Sequence, residues 1–208
     1  MNKDRKLLVA GSIGPYGACQ ADGSEYTGAY MSKVTPLDLM EWHRPRMEAL
    51  ISSGVDFLAI ETIPALDEAV TILHLLQDFP NTKAWLSFSC KDGRSTNYGD
   101  SFDEAVKKCC AIAGDQLVAV GINCSPPQYI TSLLSKANLS LPPPSILPRV
   151  VYPNSGEWIP GQGWRYGSEW SCADDVKSWL TLGATVIGGC CGLGPSDIKK
   201  ITNVVASS

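Results

Sequence analysis

Short apolar runs alternate with helical patterns along the chain, and this alternation restricts the fold more than any other feature. The runs are rich in Val, Ile, Leu and Ala, as buried strands are, and the segments between them carry apolar residues at helical spacing. Such alternation produces right-handed βαβ units with parallel strands. The predicted strands cover residues 7–10, 57–60, 84–89, 118–123, 150–152 and 184–187.

Helix boundaries are marked by capping and breaking residues. Thr35-Pro36 supplies a cap and first-turn pair, and Pro45 indicates a kink or a break in the helix that follows. Ser101 and Glu104 predict a capping box for a later helix. His43 falls within a helical pattern, which indicates packing rather than metal binding.

Six strand-helix units in 208 residues restrict the architecture further. The sequence contains no dinucleotide-binding fingerprint, which disfavours an open doubly wound sheet. A (β/α)₈ barrel usually takes about 250 residues. We therefore predict an α/β fold of the TIM-barrel type, here an incomplete barrel with six parallel strand-helix units. No linker, repeat or low-complexity run divides the chain, so residues 1–208 are predicted to form one domain.

Charge and composition restrict the partners. The formal net charge is -4 and the pI is about 5.2. Nucleic-acid and anionic-membrane binding need clustered Lys and Arg, so we expect a small-molecule partner. The apolar run at residues 7–10 is too short for a signal peptide or a membrane span, and a cytoplasmic location is expected. In a reducing compartment the eight cysteines are expected to be free thiols, available for metal binding or catalysis.

Three cysteines follow two predicted strands. Cys190 and Cys191 lie in a glycine-rich segment after residues 184–187, and Cys124 ends the strand at residues 118–123. If both strands run parallel in one sheet, the three thiols share the carboxyl edge, where ligands bind in α/β folds. Three thiolates with one open position are typical of a catalytic zinc. The alternative is buried free cysteines together with a vicinal redox pair.

Several longer motifs resemble the zinc-dependent homocysteine S-methyltransferases, a family that includes betaine-homocysteine and S-methylmethionine-homocysteine methyltransferases. The resemblance covers nearly the full chain, and the pairing of GINC with GGCCG is its most specific part. The motifs are GSIGPYGA at 11–18, ADGSEYTG at 21–28, HRPR at 43–46, AIETIP at 59–64, GINCSPP at 121–127, YPNSGE at 152–157 and GGCCG at 188–192.

The resemblance implies a (β/α)₈ barrel. Family members begin with a strand ending in an Asp-Gly-Gly type motif at the amino-acid site, and this sequence has none. Its first strand resembles the family's third, so the chain is expected to lack the first two barrel units at its amino-terminal end.

The resemblance also implies roles for particular residues. Cys124, Cys190 and Cys191 become the zinc ligands and the catalytic centre. Glu61 would take the ammonium group of an amino-acid substrate, and Asn154 and Thr62 would contact the same substrate. The alternatives are an ordinary acidic residue near a helix start for Glu61 and a plain turn for Asn154.

The implied reaction moves a methyl group from a sulfonium donor to zinc-bound homocysteine, giving methionine. S-methylmethionine is the favoured donor, S-adenosylmethionine the next and betaine the least favoured. Two hypotheses of other classes stay open: a non-catalytic zinc-binding short product of such an enzyme, and a thiol-redox protein using the vicinal pair. The oligomeric state is not predicted.

A long loop is predicted after residues 150–152. Its aromatic residues could flank a sulfonium donor, because cations are attracted to aromatic faces. They are Trp158, Trp164, Tyr166 and Trp170. The alternative for any single one of them is packing in the core or at an interface.

Overall fold

A computed structural model describes residues 7–140, 147–159, 162–166 and 172–208 of the chain. Six strands form one parallel sheet, in which the spatial order of the strands follows their order along the chain. Their bounds are β1 Ala10–Ile13, β2 Phe57–Ile63, β3 Ala84–Phe88, β4 Leu117–Asn123, β5 Arg149–Tyr152 and β8 Ala184–Ile187.

Six helices follow the sheet strands in sequence, and consecutive helices contact one another. The helices are α1 Pro36–Ser52, α2 Leu66–Leu76, α3 Phe102–Ala113, α4 Pro127–Ser140, α5 Cys172–Thr181 and α6 Pro195–Ser207. The apolar core contains side chains from both layers, among them Ile60, Phe88 and Leu73, all fully buried. None of the helices in the described ranges combines the length and apolar character that crossing a bilayer requires.

The sheet is open in the described part of the chain. Strands β1 and β8 form its two edges and do not pair with each other. Val186 in β8 is 40% exposed and Ile198 in α6 is 41% exposed, so apolar surface accompanies this edge. Six parallel strands alternating with helices in an open sheet confirm the predicted incomplete barrel architecture.

Helix α1 begins as predicted. The Thr35 side chain accepts a hydrogen bond from the backbone N–H of Asp38, and the Asp38 carboxylate accepts one from the Thr35 N–H, which completes a capping box. Pro45 lies inside the helix without ending it. The capping box predicted for α3 is wrong: Ser101 is the N-cap, but its hydroxyl donates to Asp103 instead of capping the backbone.

Two strand predictions and one loop prediction need correction. Strand β1 begins at Ala10, where residues 7–10 were predicted, because its pairing with β2 runs from Ala10 to Ile13. Strand β2 continues beyond Ile60 to Ile63 through a register shift. The predicted long loop contains an antiparallel hairpin, β6 Gly156–Ile159 and β7 Gly163–Tyr166, in which Trp158 pairs with Trp164. Trp170 lies outside the described residues.

Candidate active site

Three cysteine sulfurs meet at the carboxyl edge of the sheet. Cys124 follows β4 directly, and Cys190 and Cys191 lie in the loop after β8. The Cys124 and Cys191 sulfurs are 3.6 Å apart, those of Cys190 and Cys191 are 3.9 Å apart, and all three lie within 4.8 Å of one another. Cys124 is buried, whereas the other two are partly exposed. Residues 67 positions apart in sequence are thus brought into contact by the parallel arrangement of β4 and β8.

The sulfur geometry fits a tetrahedral metal site. Zn–S bonds of about 2.3 Å at tetrahedral angles place neighbouring sulfurs about 3.8 Å apart. The two distances given above, 3.6 Å and 3.9 Å, lie on either side of that value. Among the described residues, no fourth His, Cys, Asp or Glu atom joins the group. The cluster could therefore hold a metal ion and leave one position for another ligand.

Electrostatics within the cluster favour a thiolate. Hydrogen bonds from Cys124 and then from Cys190 lower the pKa of Cys191 to about 3. Hydrogen bonds to Cys190 and Cys191, together with burial, raise the pKa of Cys124 far above its ordinary value. The three sulfurs thus share their protons unequally, and a bound cation would favour the deprotonated form of all three.

Local backbone structure holds each sulfur in place. Cys124 adopts a left-handed conformation with φ of 47°, and its N–H donates to the Tyr152 carbonyl at 3.1 Å. The Cys190 N–H donates to the Pro153 carbonyl at 2.7 Å, and the Ser155 N–H donates to the Cys191 carbonyl at 2.9 Å. The segment after β5 therefore lies between the two cysteine-bearing loops and joins them.

Glu61 lies within β2 in a polar cluster. Its carboxylate accepts hydrogen bonds from the Ser12 hydroxyl and from the Tyr152 hydroxyl, the latter at 2.9 Å. The Tyr152 oxygen also accepts a bond from Trp85 Nε1 at 3.1 Å and lies 2.7 Å from Ser87 Oγ. Burial and the nearby carboxylate raise the pKa of Tyr152, so it remains a hydrogen-bond donor. Sequence patterns did not identify Ser12 or Tyr152, although both lie on strands beside predicted site residues.

Thr62 and Asn123 form a second polar cluster. Thr62 has φ of 59°, a conformation that costs a β-branched residue free energy. The buried Asn123 side chain accepts the Thr62 N–H at 2.7 Å and donates to the Thr62 hydroxyl at 2.7 Å. Asn123 therefore stabilises β2 at its register shift, where Glu61 and Thr62 lie. The only sequence signal for Asn123 is its place in the GINCSPP motif, which indicates no such role.

Asn154 is 2% exposed and lies beside the cysteine loops. Its backbone N–H donates to the Ser125 carbonyl at 3.2 Å. Its side-chain oxygen is buried and has no hydrogen-bond partner among the described residues. This oxygen is an available acceptor for a donor group on a ligand.

The sequence reasoning missed Tyr26 as a site residue. Its hydroxyl lies 3.8 Å from the Cys124 sulfur, and burial followed by the Cys124 charge raises its pKa. The signal available was its position in the ADGSEYTG motif. His43, predicted to pack, is fully buried, and its Nε2 lies 3.0 Å from the equally buried Glu68 carboxylate.

Comparisons with known proteins identify the family of the chain. The homocysteine S-methyltransferase family model matches residues 1–205. The chain is 44% identical to homocysteine S-methyltransferase YbgG of Bacillus subtilis (strain 168), covering 94% of this chain and 61% of that protein. It is 38% identical to a betaine-homocysteine S-methyltransferase of Drosophila melanogaster, with coverage of 95% and 62%.

A solved structure supports the architecture. The homocysteine methyltransferase MmuM from Escherichia coli, in its metallated form, matches with a TM-score of 0.81 and 38% identity, covering 98% of this chain and 62% of MmuM. The chain thus spans about three fifths of the length of the relatives it matches. On the family match, the chain belongs to the homocysteine S-methyltransferase family.

Proposed function

We propose that the site transfers a methyl group from a sulfonium donor to the thiol of homocysteine, giving methionine. The single observation that carries the proposal is the cluster of three cysteine sulfurs within 4.8 Å of one another, which no fourth His, Cys, Asp or Glu atom joins among the described residues. The family match and the metallated state of MmuM support it.

Cys124, Cys190 and Cys191 are proposed to hold zinc. Zinc suits this donor set because it accepts soft thiolates in tetrahedral geometry and does not change its oxidation state. Bound there, it would lower the pKa of a substrate thiol well below its free value of about 8.5. No side chain then has to act as general base for that proton.

Substrate recognition is proposed for Glu61, Thr62 and Asn154. The Glu61 carboxylate is already oriented by two hydroxyl donors and can accept a charge-assisted hydrogen bond from an ammonium group. Thr62, held by Asn123, lies next to Glu61, and the free Asn154 oxygen can accept a further hydrogen bond. These residues would fix the amino acid while its thiol faces the three sulfurs.

The proposed methyl transfer forms one bond and breaks another. The substrate sulfur attacks as a thiolate on the methyl carbon, a new S–C bond forms, and the donor's S–C bond breaks with its electron pair left on the donor sulfur. The donor becomes a neutral thioether and no proton is transferred in this step. Holding the two sulfurs in line with the methyl carbon supplies most of the rate acceleration.

A second candidate function is metal binding without turnover. The open sheet favours it, since β1 and β8 leave an incomplete barrel wall among the described residues. We also propose residues 1–208 as one homocysteine-binding barrel domain.

Methionine formation tests both candidates. The zinc-loaded chain is incubated with homocysteine and, in separate reactions, with S-methylmethionine, S-adenosylmethionine or betaine. A second protein is this chain extended at its amino terminus by the segment of MmuM that precedes the region matched by the chain. Turnover by the chain itself supports the enzyme, and turnover by the extended protein alone supports the non-catalytic candidate. Absence of turnover in both, with every donor, contradicts the proposed reaction.

A further inference from the structure

The loop between β1 and α1, residues 14–35, brings an aromatic hydroxyl to the sulfur cluster. Its second short 3₁₀ turn, Ser24–Tyr26, carries Tyr26, whose hydroxyl lies 3.8 Å from the Cys124 sulfur. This separation is longer than an O–H···O bond because sulfur is the larger acceptor. Tyr26 and Cys124 are 98 residues apart in sequence, so the contact depends on where the loop is anchored.

Glu68 anchors the loop on both sides of Tyr26. Its fully buried carboxylate accepts hydrogen bonds from the Tyr16 backbone N–H at 2.7 Å and from the Tyr30 hydroxyl. His43 Nε2 lies 3.0 Å from the same carboxylate and ties it to α1. A buried carboxylate with three partners is a firm anchor, because breaking any one contact leaves a charged group less satisfied.

The loop is also folded tightly on itself. A Cβ atom at Gly17 would lie 2.4 Å from the Tyr30 ring and 2.7 Å from the Glu25 nitrogen, so only glycine fits there. The Ser24 N–H donates to the Asp22 carboxylate at 2.9 Å at the start of the turn that carries Tyr26. The position of the Tyr26 hydroxyl is therefore set by packing as well as by Glu68.

We propose that Tyr26 is a positioning residue of the metal centre, whose hydroxyl donates a hydrogen bond to the Cys124 thiolate and thereby strengthens metal binding. The inference rests on the proposed metal site. In this proposal Tyr26 acts on Cys124, a ligand of the metal, and does not contact the reacting methyl group.

The charge balance of the site explains the benefit. Three thiolates exceed the charge of a divalent cation by one, and a hydroxyl donor stabilises the excess negative charge on sulfur. Partners that hydrogen-bond to metal ligands are typically worth about 10–100-fold in metal affinity. A single neutral donor at 3.8 Å is expected to have an effect at the lower end of this range. We therefore expect zinc affinity to fall about tenfold when the hydroxyl is removed.

Tyr26→Phe tests the inference, because it removes the hydroxyl and keeps the ring. Tyr98→Phe is the matched control: it makes the same chemical change at a 45% exposed tyrosine whose side chain packs beside Gly28 of the same loop. Zinc affinity is measured for the full chain by competition with a chromophoric chelator. Co²⁺ is then added as a spectroscopic probe, and its thiolate charge-transfer band is recorded. Thermal unfolding of the metal-free proteins compares their folded states.

Weaker zinc binding by about tenfold and a shifted Co²⁺ band in Tyr26→Phe, with both unchanged in Tyr98→Phe, support the inference. Equal zinc affinity and identical Co²⁺ spectra in Tyr26→Phe and the unchanged chain overturn it while leaving the metal site intact. An unchanged chain that binds neither ion overturns the proposed metal centre and this inference with it.

Discussion

Replacing Asn123 with alanine removes the side chain that stabilises Thr62 at the register shift of β2. The Asn123 oxygen accepts the Thr62 N–H at 2.7 Å and the Ser87 hydroxyl at 2.8 Å, and its amide donates to the Thr62 hydroxyl at 2.7 Å. Asn123 is 1% exposed, so water cannot easily replace these bonds. The variant would leave Thr62 in its left-handed conformation, φ 59°, without these contacts.

The expected decrease in the free energy of unfolding follows from the number of hydrogen bonds lost. A hydrogen bond contributes about 1 kcal/mol net, so three of them predict a loss of about 3 kcal/mol in the free energy of unfolding. For a chain of this size, 1 kcal/mol shifts the melting temperature by about 2–4 °C, which predicts a decrease of about 6–12 °C.

Urea unfolding followed by circular dichroism measures the free energy, and a thermal scan measures the melting temperature. Asn203→Ala is the matched control, because Asn203 is exposed on α6, where alanine is a good helix former. We expect that control to lie within about 0.5 kcal/mol of the unchanged chain. An Asn123→Ala loss below about 1 kcal/mol, the value of a single bond, would refute the reasoning.

Three further predictions concern the substrate, the sheet and a helix cap. On the proposed substrate site, Glu61→Gln should raise the KM for homocysteine about 10–100-fold in steady-state assays, because the ammonium group of the substrate would lose its charged partner; an unchanged KM would remove Glu61 from that proposed site. Gly121→Ala should destabilise the fold by about 3 kcal/mol in urea, since its Cβ would lie 1.8 Å from the Val150 carbonyl oxygen, and near-normal stability would contradict that contact. Hydrogen bonds from Thr35 lower the pKa of Asp38 in the folded chain. The contribution of the Asp38 carboxylate to the free energy of unfolding is therefore complete above the unfolded pKa of about 3.9, and it is lost as pH falls through the folded pKa. The stability difference between the unchanged chain and Asp38→Asn should therefore narrow from pH 6 to pH 2, and a constant difference would contradict it.

Local periodicity predicted the fold because each strand-helix unit carries its own signal. The six sheet strands were found, and errors arose where pairing decides the boundary. Leu7, Leu8 and Val9 are apolar yet exposed, and β1 begins only where its backbone pairs with β2. The β6–β7 hairpin was missed because its short strands lack a clear alternating pattern.

The cysteine cluster could be anticipated because the carboxyl ends of parallel strands share one edge. The hydrogen bonds of the neighbouring side chains could not be anticipated, because each one joins residues that are far apart in sequence and carry no local pattern. Asn123 reaches Thr62 across 61 residues, and His43 reaches Glu68 across 25. Such hydrogen bonds depend on side-chain positions that only the folded chain specifies.

Zinc content tests the central claim most directly. The chain, Cys124→Ser and Cys19→Ser are each loaded with zinc, dialysed and analysed for metal, Cys19 being an exposed cysteine that serves as the control. The site predicts about one zinc per chain in the unchanged protein and in Cys19→Ser, and almost none in Cys124→Ser. Zinc retained in full by Cys124→Ser, or absent from the unchanged protein, would contradict a metal centre built on Cys124, Cys190 and Cys191.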